Sequence, residues 1–189
     1  MKKYELTAEF IEQWGKKLFR IKALISFGSV EAGELGGYIE KEDNLAQDGD
    51  AWVCDNAWVC DNARVYGNAW VCDDARVYGN ARVCDNVMVC DNAWVCDNAW
   101  VCDDADYLLI GRIGSRFSFT TFFKNKDKGI TVSCGCFLGT IAEFRAKVTD
   151  THGNNKHAKI YNLAADMAEL QILGEEYFDK LNTNKSEPF

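Results

Sequence analysis

Thiols are the most reactive groups in this sequence, and seven of its nine cysteines (Cys54, Cys60, Cys72, Cys84, Cys90, Cys96 and Cys102) fall at one recurring position. A regular line of thiols can hold a metal ion, or it can fill a crowded corner with a small, weakly polar side chain. No histidine is interleaved with them, so packing is the expected role and reduced thiols the expected state. The other two, Cys134 and Cys136, lie two apart on an expected strand and should share a face, while His152 and His157 bracket an expected helix-to-helix loop. A C-x-C plus H-x4-H set can hold zinc, and a Cys-His pair can form a nucleophile. Against both stands the reading of ordinary buried hairpin cysteines, so no metal, cofactor or catalytic residue is assigned. The stretch GRIGSRFSFTT offers Arg112 and Arg116 as cations, Ser115, Thr120 and Thr121 as hydroxyl donors, and Gly111 and Gly114 for close backbone approach. Such a set suits a phosphate or carboxylate, with a solvated basic loop as the alternative.

What must position these groups is a repeat. From Val53 the chain reads VCDNAW, VCDNAR, VYGNAW, VCDDAR, VYGNAR, VCDNVM, VCDNAW, VCDNAW, VCDDAD, nine consecutive six-residue units without an insertion. Neither a helical period nor a simple alternation gives that spacing. In Ala-x-Val the two apolar residues point one way along a short strand and the residue between them points the other. Alanine and valine therefore line a narrow interior. The pair after each cysteine or tyrosine (Asp-Asn, Asp-Asp or Gly-Asn) tolerates left-handed backbone angles and supplies a corner.

This pattern resembles the left-handed parallel β-helix of hexapeptide repeats, in which an aliphatic residue is followed four positions later by a small one, as Val53 is by Ala57. The resemblance covers about residues 39–110, with Cys or Tyr standing where that family usually has a small or acidic residue. It implies a mainly β fold in which three units, and so 18 residues, make one triangular coil, with coils stacked about 4.8 Å apart. Folding the string that way places Trp52, Trp70 and Met88 in one column, Trp58, Arg76 and Trp94 in a second, and Arg64, Arg82 and Trp100 in a third. These are either plain ladders covering a rod or, where tryptophan and methionine dominate, surfaces for a partner. Trp52, Trp70, Met88 and Trp100 are the candidate partner contacts; Trp58, Arg76 and Trp94 join the glycine-arginine loop as candidate ligand contacts.

The flanks are expected to cap the stack: an N-terminal β cap over 1–38, the β-helix over 39–110, a hairpin plus two helices over 111–175, and a polar tail over 176–189. SFTTFF and ITVSCGCF around KNKDKG predict a hairpin. Thr140 and Glu143 form a capping box opening a helix that places Ile141, Phe144 and Val148 on one face and stops near Gly153. A second helix, from about Asn155 to Leu173, is expected to group Ile160, Leu163, Ala164 and Met167.

Composition bounds the function. The net charge of −8 is distributed as −3 over residues 1–50, −7 over 51–106 and +2 over 107–189. An acidic rod argues against direct nucleic-acid binding through phosphates. No apolar run approaches the roughly 20 residues that span a bilayer, and the charged start MKKYELTAEF lacks a signal-like apolar stretch, so a cytoplasmic location is expected. Histidine, which acyltransferases and zinc carbonic anhydrases on this kind of helix use, is absent from the coils, which disfavours an enzyme. The block IGSRFSFTTFFKNKDKGITVSCGCFLGTIAEF and the approach LGGYIEKEDNL resemble uncharacterised hexapeptide-repeat proteins of phages and prophages. That resemblance implies an accessory phage gene. The expectation is a non-enzymatic binding protein that sequesters or blocks a host factor of antiviral defence, its partner a host protein engaged by charge mimicry or a small nucleotide. The alternatives are a nucleotide sponge and a structural assembly or virion protein. Self-association, possible as a trimer, is expected from the β-helix resemblance.

Overall fold

A computed structural model describes residues 2–174 and divides the chain into two compact units between Asp104 and Ala105. The tail expected over 176–189 lies outside the described residues. The division falls ahead of the boundary expected at 110, because the strand that begins at Tyr107 pairs within the second unit.

The first unit opens with three strands: β1 (Tyr4–Gln13), β2 (Lys16–Ala23) and β3 (Leu35–Ile39). Nine two-residue strands follow, one per repeat: β4 (Trp52–Val53), β5 (Trp58–Val59), β6 (Arg64–Val65), β7 (Trp70–Val71), β8 (Arg76–Val77), β9 (Arg82–Val83), β10 (Met88–Val89), β11 (Trp94–Val95) and β12 (Trp100–Val101). β4 to β9 each pair in parallel with the strand 18 residues on: Val53 lies beside Val71, Val59 beside Val77 and Val65 beside Val83. The result is a β-solenoid whose three faces carry the sheets β4-β7-β10, β5-β8-β11 and β6-β9-β12.

Two residue types make this winding possible. The alanines and valines are almost fully buried, Ala57, Ala63, Ala69 and Ala75 with Val59, Val71 and Val77 at 0% exposure, so the tube is dry and narrow. The corners turn at Asp55, Asp61, Asp73, Asp85, Asp91 and Asp97, whose φ angles lie between 53° and 61°. Only Asn, Asp and Gly adopt that left-handed region readily. At Gly67 (φ 71°) a Cβ would also stand 2.9 Å from the backbone nitrogen of Asp85 one coil on, so glycine is required there for space as well as for angle. Outside the corners, asparagines form amide ladders, Asn62 donating to Asn80 at 3.3 Å and Asn68 to Asn86 at 2.9 Å.

The N-terminal strands cap the solenoid and extend one face. β1 and β2 form an antiparallel hairpin, β2 pairs with β3, and β3 runs parallel to β5, giving the order β1-β2-β3-β5-β8-β11. The first coil exposes backbone carbonyls, and side chains meet them. Asn44 donates to the carbonyls of Asp61 and Ala63, Tyr4 to those of Glu42 and Leu45, and the Lys3 ammonium to those of Asp48, Gly49 and Ala51. Burial lowers the Lys3 pKa to about 8.

The second unit is an antiparallel sheet β13 (Tyr107–Ile113), β14 (Ser118–Lys124), β15 (Ile130–Cys134) and β16 (Phe137–Thr140) in sequential order, covered by α1 (Ile141–His152) and α2 (Lys156–Leu173). The hairpin turn forms at the expected place, with the Asn125 side-chain oxygen accepting from the backbone of Asp127 and Gly129. Thr140 and Glu143 cap α1 reciprocally, Gly153 ends it, and Asn155 caps α2 by accepting from His157 and Ala158. Phe144 and Val148 are buried as expected, beneath Phe122 and Val132 of the sheet.

The face of α2 differs from the expectation. Ala158, Tyr161, Ala164, Ala165, Ala168 and Ile172 pack inward, whereas Leu163 (62% exposed) and Met167 (57%) point out together with Ile160. Alanines let the helix approach α1 and the sheet closely, and the larger apolar residues are excluded from that contact by size. Arg145 of α1 ties the helices together through Asp166 (2.7 Å) and the buried Glu169 (2.6 Å) of α2.

Candidate functional site

A concavity of mixed polar and aromatic lining lies in the second unit. A pocket of about 290 Å³ is lined by Ser115, Arg116, Cys134, Cys136, Phe137, Phe144, Lys147, Val148, Thr151, His152 and Tyr161. Its floor is aromatic: the Phe144 ring meets Phe137 at 5.6 Å and Tyr161 at 5.7 Å, and His152 stacks on Tyr161 at 5.8 Å. The positions follow from local structure. The β13–β14 turn brings Ser115 and Arg116 over the end of β15, and Gly114 (φ 71°) permits the close approach, since a Cβ there would fall onto the Tyr161 hydroxyl. Lys147, Thr151 and His152 belong to α1, in reach because the capping box fixes where that helix starts.

Among the lining residues are two cations and an imidazole but no carboxylate, in a chain whose net charge is −8. Lys147 pairs with Asp150 at 3.2 Å on the exposed side of α1. Burial raises the Tyr161 pKa, the neighbouring Cys134 adds to the rise, and Arg116 and Ser115 oppose it, so the phenol stays a neutral hydrogen-bonding group. Thr120 donates to Cys134 Sγ at 3.2 Å, and Arg116 Nη1 lies 3.9 Å from Cys136 Sγ.

Of the residues expected to bind a ligand through the loop, Ser115 and Arg116 reach this pocket. Thr120 and Thr121 are buried in β14, and Arg112 stands exposed on β13 outside the lining. Cys134 and Cys136 do not share a strand face. Gly135 (φ 62°) turns the chain between them, ending β15 and leaving Cys136 exposed. His152 and His157 come within 5.8 Å ring to ring, but only His152 lines the pocket; Nδ1 of His157 is buried without a hydrogen-bond partner. The aromatic floor and Lys147 were missed by sequence reasoning, and the i, i+4 pair Phe144–Val148 next to Lys147 was the available signal.

The solenoid columns form at the expected spacing, but part of their surface is covered from within the unit. Trp52, expected at a partner surface, is fully buried because Tyr4 and Phe27 pack edge-on against it at 6.3 and 5.4 Å. On the next face Trp14, at the tip of the β1–β2 hairpin, lies over Trp58 (4.8 Å), Tyr78 (5.0 Å) and Trp94 (6.2 Å). Arg76 stacks between Trp58 and Trp94 at 5.6 and 4.7 Å, so this trio is already engaged by the protein's own ring and cation. Trp70 is half-buried, and Met88 (52% exposed) and Trp100 (44%) remain open, the latter under Arg82 at 5.5 Å.

The cysteine columns also depart from the expected reduced state: Cys54 is joined to Cys72 and Cys84 to Cys102 by disulfides, each across one coil. Parallel in-register pairing brings their Cα atoms to 4.8 and 4.6 Å, within the range a disulfide spans. In the remaining column Tyr78 separates Cys60 from Cys96, and neither is in a disulfide. Burial pushes the Cys60 thiol up to about 12 and Cys96 up to about 11, so both are packing groups. Lys16 pairs with Asp61 and with Glu40 (3.2 Å) beside Cys60, and its ammonium holds the Asp61 carboxyl below its ordinary value.

A family model described as YdcK Beta solenoid repeat matches residues 57–73, 69–85, 75–90 and 81–97. The middle coils are therefore similar to that repeat, and the architecture is that of a β-solenoid protein with a C-terminal helix pair on a four-stranded sheet. No curated protein matches the chain. No helix among the described residues is long and apolar enough to cross a membrane.

Proposed function

We propose that this is a non-enzymatic binding protein whose C-terminal pocket takes a small anionic ligand, with the solenoid as its scaffold. The observation that supports the reading is the lining itself: Arg116, Lys147 and His152 around an aromatic floor, with Ser115, Thr151 and Tyr161 as hydroxyl partners and no carboxylate. Guanidinium and ammonium groups suit phosphate oxygens, and the half-buried Phe137 and His152 rings suit a base. A nucleotide is the ligand class that uses both. The protein is read as a phage-type accessory factor, cytoplasmic in the host, with left-handed coils and a tendency to self-associate. In that setting it withdraws a nucleotide signal and so blunts the host defence that depends on it.

The test is thermal denaturation of the full chain with a panel of mono-, di- and cyclic nucleotides and with inorganic pyrophosphate. A ligand present at a hundred times its Kd stabilises by about 2.7 kcal/mol. That shift should be present in the parent chain and largely lost in Arg116→Ala/Lys147→Ala. A flat response across the panel sinks the reading. Capture of a host protein is the second reading, favoured by the exposure of Met88 and Trp100. It predicts no nucleotide shift and a complex that Trp100→Ala weakens. A structural assembly role predicts neither, and large oligomers instead.

A further inference from the structure

We propose that each of the two cysteine pairs on the solenoid, once reduced, is a thiophilic metal site: Cys54 and Cys72 with Asp55, and Cys84 and Cys102 with Asp85. In each trio one ligand atom per residue lies within 4.8 Å of the others. The same three residue types meet at equivalent corners of two different faces, because the repeat places a cysteine before a left-handed aspartate and the 18-residue coil sets a second cysteine beside it. Two thiolate sulfurs about 2.3 Å from a tetrahedral zinc stand about 3.8 Å apart. Rungs with Cα atoms 4.8 and 4.6 Å apart allow that separation by side-chain rotation alone. Asp55 adds a carboxylate, one oxygen of which lies 3.4 Å from the backbone nitrogen of Asp73.

The third column shows what the pairs require. There Tyr78 intervenes between Cys60 and Cys96, so only one thiol meets the corner aspartate, and the Lys16 ammonium already serves Asp61 and Glu40 as their cation. The first column carries an extra cysteine one coil further, Cys90, next to Asp91.

The chemistry balances without a catalyst. A phosphine delivers two electrons to each disulfide, breaking the sulfur–sulfur bond and leaving as its oxide with the oxygen of one water, whose two protons go to the thiols. A Zn²⁺ or Cd²⁺ ion then forms two metal–sulfur bonds and releases the two thiol protons to solvent. Oxidised, the pairs are covalent staples between coils; reduced and metal-loaded, the same rungs are clipped by an ion.

The experiment is titration of the phosphine-reduced full chain with Cd²⁺ under nitrogen, read by thiolate-to-cadmium charge-transfer absorbance and by equilibrium dialysis. Cys54→Ser/Cys72→Ser should lower the stoichiometry by one ion, Cys84→Ser/Cys102→Ser by one, and the combined variant by two. Asp55→Asn and Asp85→Asn keep every cysteine and should weaken Cd²⁺ binding at the affected site by about tenfold. These two carry the test should a serine variant lose its β-sheet signature. A stoichiometry unchanged by a double serine substitution, or an affinity unchanged by the asparagine at that corner, overturns the assignment of that pair.

Discussion

The solenoid and the C-terminal unit solve the problem of burying a core in opposite ways. In the solenoid one solution is reused: every coil places alanine and valine inside, aspartate or glycine at the corner, and backbone bonds from one coil to the next, as from Trp52 to Ala69 and from Cys54 to Val71, both at 2.9 Å. In the C-terminal unit each contact is made once, by Phe122, Phe144 and Tyr161 meeting edge to face and by a single Arg145 spanning two carboxylates. Repetition distributes stability over equivalent rungs. Irregularity makes room for a pocket in which no two lining groups need be alike. The difference explains why ladders of like groups run along the coils, while unlike polar groups converge where the repeat is broken, in the second unit and at the capped end of the first.

The sharpest way to break the comparison is a charge inside the tube. Val77→Asp places a carboxylate where exposure is 0% and no donor of the repeat points inward, at a cost of about 4 kcal/mol or more. Hydrogen exchange followed by mass spectrometry should show lost protection over 52–101 and retained protection over 118–172; loss across both would show that the units unfold as one. Next in size is Arg145→Ala, which strands the buried Glu169 and should cost about 3 kcal/mol, read as a fall in Tm confined to the α1–α2 peptides. Smaller again is Trp14→Ala, which removes the ring lying over Trp58, Tyr78 and Trp94 and should cost about 1–2 kcal/mol while making Trp58 accessible to a fluorescence quencher.

The smallest effect concerns pH. Cys60 and Cys96 hold their protons in the folded chain up to about 12 and about 11, whereas both start from an ordinary value of 9.0. Above that value the unfolded chain binds fewer protons than the folded one, so these two thiols lower stability as pH rises and have no effect on the slope below it. Between pH 9 and pH 9.5 the parent chain should lose about 2–3 °C more in Tm than Cys60→Ala/Cys96→Ala does, whatever the absolute stability of the variant. Equal slopes would show that these thiols ionise as readily in the tube wall as in the unfolded chain.

The regular part of the molecule was legible because its signals are local and reinforced nine times over. Val, Ala and Asp mark strand, interior and corner in every unit, and the observed pairing at 18 residues is the spacing that follows. Thr140, Gly153 and Asn155 were equally legible, since caps act through the nearest backbone amides. What escaped was set by distant neighbours. Ile160, Leu163 and Met167 form a plausible apolar stripe, yet the narrow gap beneath α2 admits Ala164, Ala165 and Ala168 instead. Trp52 and Trp58 look like exposed members of two columns until Tyr4 and Phe27 pack against the first and the hairpin tip carrying Trp14 folds over the second, and such docking has no sequence period to announce it. The pocket was half legible: Ser115 and Arg116 stood in a suggestive loop, while Lys147 and the aromatic floor arrive from a helix face whose direction depends on packing.

The register between rungs also makes the solenoid a ruler. Because residue i always lies beside residue i+18, an insertion of 18 residues in the repeats would lengthen the stack by one rung of about 4.8 Å and leave every later side chain on its original face. Six residues would instead rotate everything downstream by one face, moving Trp70 to where Arg76 now stands. Length can thus change in natural variants by duplication of whole coils, whereas any other increment scrambles the surface.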